Sequence, residues 1–154
     1  VSCSWTDNDG NLWMFGGDGY DINGARGLLN DLWKYDPNPN SPTYNQWTWM
    51  SGDNIRKQSG IYGTKGAPSL TNKPGARFVY ASWKDTDGNL WMFGGYGHDI
   101  TTAPAFYGLL NDLWKYDIKT TEWTWMSGGT ERDQAGIYGT KCVASSLNTP
   151  GARA

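Results

Sequence analysis

The chain has 154 residues, among them 21 Gly and 10 Trp, with only 18% charged residues and a net charge of −2. Lys and Arg do not cluster, which removes the electrostatic footprint of a nucleic-acid binder, and no apolar run nears the roughly 20 residues that cross a bilayer as a helix. Apolar residues never recur at i, i+3, i+4, i+7 over several turns, whereas Trp, Tyr, Phe and Thr alternate between Asn-Gly and Asp-Gly turn signals, so the class is all-β.

Read along the chain, four segments stand out. Ser4 to Gly17 (SWTDNDGNLWMFGG) comes first, followed by Leu28 to Asp36 (LLNDLWKYD), Trp47 to Gly52 (WTWMSG) and Ile61 to Lys65 (IYGTK). All four return in the same order, at offsets of 78, 81, 76 and 76 residues. The spacing changes in loops and not in the segments themselves, so the chain is two copies of one unit, residues 1–78 and 79–154. Pro150 to Ala154 joined to Val1 to Trp5 reproduces the pattern of Pro74 to Trp83 without a gap. A slice through a longer periodic array has such ends. The lack of an initiator Met and of a signal peptide likewise implies a chain processed or cut from something longer.

Each copy predicts four antiparallel strands. In the second copy they cover about 77–83, 89–94, 111–116 and 122–126, the first two joined by Asp85-Thr86-Asp87-Gly88, a hairpin signal with Gly where positive φ is needed. Alternation puts Trp91 and Phe93 on one face of the second strand and Leu90 and Met92 on the other. Trp123 and Trp125 share a face of the fourth strand. Apolar residues on both faces predict a sheet covered on both sides. The double glycines are expected to let an aromatic ring approach the backbone.

The motif order resembles the kelch repeat. The likeness rests on a double glycine ending the second strand (Gly16 and Gly17, Gly94 and Gly95), Tyr35 or Tyr116 before Asp on the third, Trp47 or Trp123 on the fourth, and Arg77 or Arg153 opening the next unit. The period of about 77 residues is most similar to the long bacterial variety of these repeats, whose blades build propellers of the galactose-oxidase type. The resemblance implies two four-stranded antiparallel blades of a kelch-type β-propeller. Propellers close with four to eight blades, so two are incomplete without further blades or further chains. The first blade, residues 1–78, then has its first strand completed by a preceding unit. The second, residues 79–154, ends in the first strand of the next blade.

The expected function is that of a non-enzymatic structural or protein-interaction module, extracellular or at a cell surface, repeating head to tail in a larger assembly or fibre. Its expected partners are copies of itself or neighbouring blades, and glycans or other cell-surface proteins. A lectin-like glycan-binding propeller is the alternative. A segment of a secreted oxidase whose active residues lie elsewhere is the third reading. No cofactor is expected: copper chemistry needs several converging nitrogen and phenolate ligands, and His98 is the single histidine. The Asp7–Asn11 and Asp85–Asn89 loops superficially resemble the start of a calcium loop but lack the acidic residue that completes one. Asp18, Asp21 and Asp99 are further oxygen donors nearby.

Recognition is expected on the long loops. The candidates are Tyr20, Arg26, Arg56 and Tyr96, with His98, Phe106, Tyr107 and Arg132. The Ile61–Lys65 segment and its copy are expected to brace neighbouring blades. Two cysteines in so polar and aromatic a chain favour an oxidising compartment. Cys3 and Cys142 both lack a cysteine counterpart in the other copy, where Ala81 and Gly66 stand. They are the candidate disulfide between one two-blade unit and the next.

Overall fold

The computed structural model describes residues 3–101 and 107–154, Cys3 in its backbone only. Among them there is no α-helix. The first sheet holds β1 (Cys3–Thr6), β2 (Leu12–Tyr20), β3 (Arg26–Asp36) and β4 (Gln46–Ser51), hydrogen-bonded in chain order. The second holds β5 (Arg77–Phe78), β6 (Ala81–Lys84), β7 (Leu90–Gly97), β8 (Gly108–Asp117) and β9 (Glu122–Ser127). Every pairing is antiparallel, and the registers repeat. Trp5 faces Trp13 as Trp83 faces Trp91, and Met14 faces Trp33 as Met92 faces Trp114. The second sheet starts at Arg77, two residues before the sequence period turns over.

The fifth strand is a consequence of one break. β5 and β6 both pair with β7, and Val79 between them sits at φ 51, a conformation that a β-branched residue rarely adopts. The break sends Tyr80 into the first sheet, where its hydroxyl donates to the Phe15 carbonyl at 2.6 Å. The expected single first strand is thus two short ones, and the second and third strands run longer than expected, past the double glycine. Those glycines mark a β-bulge between Phe93 and Gly95. Gly94 has φ +66, and a Cβ there would stand 2.7 Å from the Arg153 carbonyl oxygen and 2.9 Å from that of Leu110. At Gly94 the neighbours that require glycine are backbone carbonyls, whereas at Gly95 a Cβ would meet the Tyr80 Cβ at 2.9 Å and the Phe78 carbonyl oxygen at 3.0 Å.

The core lies between the two sheets. Trp13 meets Tyr116 with ring centroids 5.8 Å apart, and Phe15 meets Trp123 at 5.6 Å and Tyr80 at 5.9 Å, edge to face. Such tilted pairs gain beyond the area they bury. The Trp5 indole donates across the gap to the carbonyls of Trp83 and Trp91. Each sheet therefore has one covered face, and the opposite faces are open. Trp47 is 53% exposed where its counterpart Trp123 is 1% exposed. Leu12 and Trp83 are exposed where Leu90 and Trp5 are buried.

Residues 52–76 leave β4 and clasp the second sheet. Tyr62 sits between Trp114 and Trp125, at 5.0 and 5.3 Å. Gly66 N–H donates to the Trp125 carbonyl, Asn72 Nδ2 donates to that of Trp123, and Lys65 Nζ lies over the Trp125 ring at 4.4 Å. The bracing contacts expected of Ile61–Lys65 are present here. Where the segment ends, Arg77 enters the second sheet fully buried. Its guanidinium grips Asp112 with two hydrogen bonds, at 2.6 and 2.7 Å, and donates also to the Gly94 carbonyl. Trp114 Nε1 and the Tyr62 hydroxyl complete the shell around Asp112. Burial, with the Asp112 charge adding, pushes the Tyr62 phenol well above its ordinary range, so it stays a donor.

This clasp argues against the candidate disulfide. Gly66, the counterpart of Cys142, lies beyond β9, whereas Ala81, the counterpart of Cys3, lies on β6 at the other edge of the sheet. Three strand spacings separate those edges by about 14 Å, roughly twice the Cα separation that a disulfide spans. A joint built like the internal one does not bring the two sulfurs together. Cys142 is exposed and free, and the Cys3 side chain lies outside the described residues.

Candidate functional site

The antiparallel order sends the β2–β3 and β7–β8 loops to the same end of the molecule as the long segments that follow β4 and β9. Between the two sheets at this end opens a pocket of about 320 Å³, lined by Asp18, Arg26, Lys57, Phe78, Tyr96 and Tyr107, together with Gly27 and Leu28. One wall is charged. Arg26 donates to both oxygens of Asp18, the shorter bond 2.8 Å. Lys57 is held at φ 62 by its N–H bond to the Leu28 carbonyl. The other wall is a ladder of rings, Phe78 to Tyr96 at 5.8 Å, Tyr96 to Tyr107 at 5.5 Å and Tyr107 to His98 at 5.4 Å, all edge to face. The two walls are the same positions of the two copies: Asp18 and Arg26 correspond to Tyr96 and Tyr107. An ion pair has been exchanged for an aromatic pair, which gives the pocket unlike sides. Aromatic rings opposite polar groups suit a ligand with C–H patches and hydroxyls.

The structure therefore brings Arg26, Tyr96 and Tyr107 together at the pocket, with His98 against Tyr107, and scatters the other candidates. Tyr20, 72% exposed, points to the open face of the first sheet. Its counterpart His98 lies in the β7–β8 loop, as expected, but is only 2% exposed there. Arg56 and Arg132 brace loops. Asp21 accepts from the Arg56 N–H and lies 3.7 Å from its Nε, and Asp99 accepts from the N–H and Nη1 of Arg132. Burial would raise the Asp99 carboxyl, but bonds from Thr101 and Arg132 outweigh it and hold it below its ordinary range. Phe106 lies outside the described residues. Lys57 and Phe78 escaped the sequence reading because each becomes a wall only when the second sheet stacks on the first.

The calcium-like loops are hairpin turns. Asp7 accepts from the N–H groups of Asp9 and Asn11 and from the Trp13 indole, and Asp85 repeats the pattern with Asp87, Asn89 and Trp91. Their oxygens are spent on tying the turn to the strand that follows.

His98 gives the chain a measurable pH response. Burial first, then the nearby Lys57 and Arg132 charges against an opposing Asp99, push its pKa below the ordinary value. The folded state then holds a neutral ring, while the unfolded chain takes up a proton at about pH 6.5. The stabilisation is complete above that value and is lost as pH falls through the folded pKa. Because this is the single histidine, the urea midpoint should decline from pH 7.5 to 5.5 in the wild type and stay level in His98→Gln. A level wild-type profile would contradict a buried neutral ring.

No protein-family model and no curated protein matches the chain. Among solved structures it is similar to that of YjhT, with a TM-score of 0.52 at 19% identity over 88% of this chain and 40% of that one. The chain thus spans about two fifths of the length of the structure it matches. At this identity the likeness speaks for the fold alone, an all-β, β-propeller-like stack of antiparallel sheets.

Proposed function

We propose that the chain is a non-enzymatic structural and protein-interaction module, two kelch-type propeller blades that work by packing against further blades in an extracellular or cell-surface assembly. The observation that carries this reading is the pair of open sheet faces. Trp47, Trp49 and Leu12 on one side and Trp83 on the other are exposed, although their counterparts Trp123, Leu90 and Trp5 lie in the core and Trp125 packs against it. Apolar faces of this kind mark association surfaces. Sedimentation of the 154-residue chain across a range of concentrations tests it: the expected result is concentration-dependent assembly, and a monomer throughout would overturn it. The mass of the natural polypeptide after full denaturation then distinguishes assembly of separate chains from stacking within a longer one.

The lectin-like reading has one observation of its own, the pocket with Tyr96 and Tyr107 facing Asp18 and Arg26. On that reading a glycan panel gives a binder whose affinity falls about 3- to 10-fold in Tyr96→Ala, the loss of one stacking contact. Unchanged affinity in that variant would move binding elsewhere.

A further inference from the structure

The segment that clasps the second sheet has a twin with nothing to clasp. Residues 137–153 repeat residues 61–77, and the twin is already folded. Ile137 and Thr149 bridge as Ile61 and Lys73 do, and Asn148 Nδ2 donates to the Val143 carbonyl as Asn72 donates to that of Ala67. Cys142 keeps the left-handed backbone of Gly66, φ 66 against φ 80. Yet Tyr138 is 82% exposed where Tyr62 is 3% exposed. Among the described residues the Arg153 side chain bonds only to the Gly151 carbonyl, a bond that Arg77 also makes to Gly75, and no carboxylate meets it.

The first sheet shows the opposite lack. Asp31 occupies the place of Asp112 and is half-buried, held by Trp33 Nε1 at 2.6 Å as Asp112 is by Trp114. No cation and no tyrosine reaches it among the described residues. Desolvation pushes its carboxyl above the ordinary range, which a cation would relieve. Beside it a cavity of about 320 Å³ is walled by Trp33 and Trp49, the counterparts of the two rings that enclose Tyr62. An arm without a sheet and a sheet without an arm stand at opposite ends of one chain.

We infer that Asp31 and the Trp33–Trp49 cavity are the receptor for residues 137–153 of a second copy of this chain, with Tyr138 filling the cavity and Arg153 closing a two-bond ion pair on Asp31. This rests on the interaction-module reading and specifies its joint. The internal clasp is the template for every contact. Lys141 lies over Trp49 as Lys65 lies over Trp125, Asn148 donates to the Trp47 carbonyl, and Trp91 and Phe93 of one copy cover Tyr35 and Trp47 of the next. The contact is heterologous, so it repeats into a closed ring or an open filament according to the rotation per copy.

Complementation between two defective chains tests it. Asp31→Ala removes the receptor and leaves the arm, and Tyr138→Ala does the reverse. Both sites lie outside the internal core, and circular dichroism checks that each variant is folded. The expected result is assembly of the wild type, monomers of either variant alone, and a dimer of one chain of each when they are mixed. Variants that assemble like the wild type would overturn the joint and leave the module reading standing. Monomeric variants that form no dimer on mixing would overturn the head-to-tail arrangement. A wild type that stays monomeric would overturn both.

Discussion

Replacing Asp112 by alanine should destabilise the chain by about 3–5 kcal/mol, because it strands the Arg77 guanidinium in a dry interior. Arg77 is fully buried, and Asp112 takes two of its hydrogen bonds. The Tyr62 hydroxyl and the Trp114 indole lose their acceptor in the same variant. The same substitution at Asp31 should move stability by no more than about 0.5 kcal/mol in the monomer, since no buried cation depends on it. The two residues stand in the identical LLNDLWKYD motif, so the pair is its own control. Urea unfolding followed by tryptophan fluorescence, at a dilution that keeps the chain monomeric, reads both. Equal effects at the two sites would mean that the buried ion pair does not distinguish them.

The second large contrast is between Trp123 and Trp47. Trp123→Ala should cost about 3–5 kcal/mol, the transfer loss plus a cavity between the sheets where Phe15, Trp114 and Tyr116 now pack on the ring. Trp47 pairs with the Tyr35 ring at 5.1 Å and is 53% exposed, so Trp47→Ala should cost less than about 1 kcal/mol in the monomer. If the open face of the first sheet is a joint, Trp47→Ala should also weaken assembly while the monomer keeps its unfolding midpoint. A large monomer effect at Trp47 would mean that this face is already covered within one chain.

How far these contrasts could be read in advance differs by level. The strands, the hairpins at Asp7 and Asp85 and the alternation of Leu90 and Met92 against Trp91 and Phe93 were legible, because pleat and turn depend on residues a few positions apart. The break at Val79 was not, since nothing local marks a valine for positive φ. It follows from Tyr80 leaving its own strand for the first sheet. Asp31 and Asp112 left a signal that could have been used, an acidic residue repeated in mid-strand in both copies of LLNDLWKYD. The pocket was half legible: Arg26, Tyr96 and Tyr107 were among the candidates, but nothing in the spacing separated them from Tyr20, Arg56 or Arg132.

By itself, then, the sequence determined the all-β class, the two-copy period and the order and pairing of the strands, since these rest on periodicity and on turns closed by nearby residues. Only the tertiary structure decided which copy of each motif is buried. Trp47 and Trp123, Tyr138 and Tyr62, Asp31 and Asp112 are the same letters in the same local frame. Their burial, their partners and their charge environment come from whether another sheet lies against them, and that is a property of the stack and not of the strand.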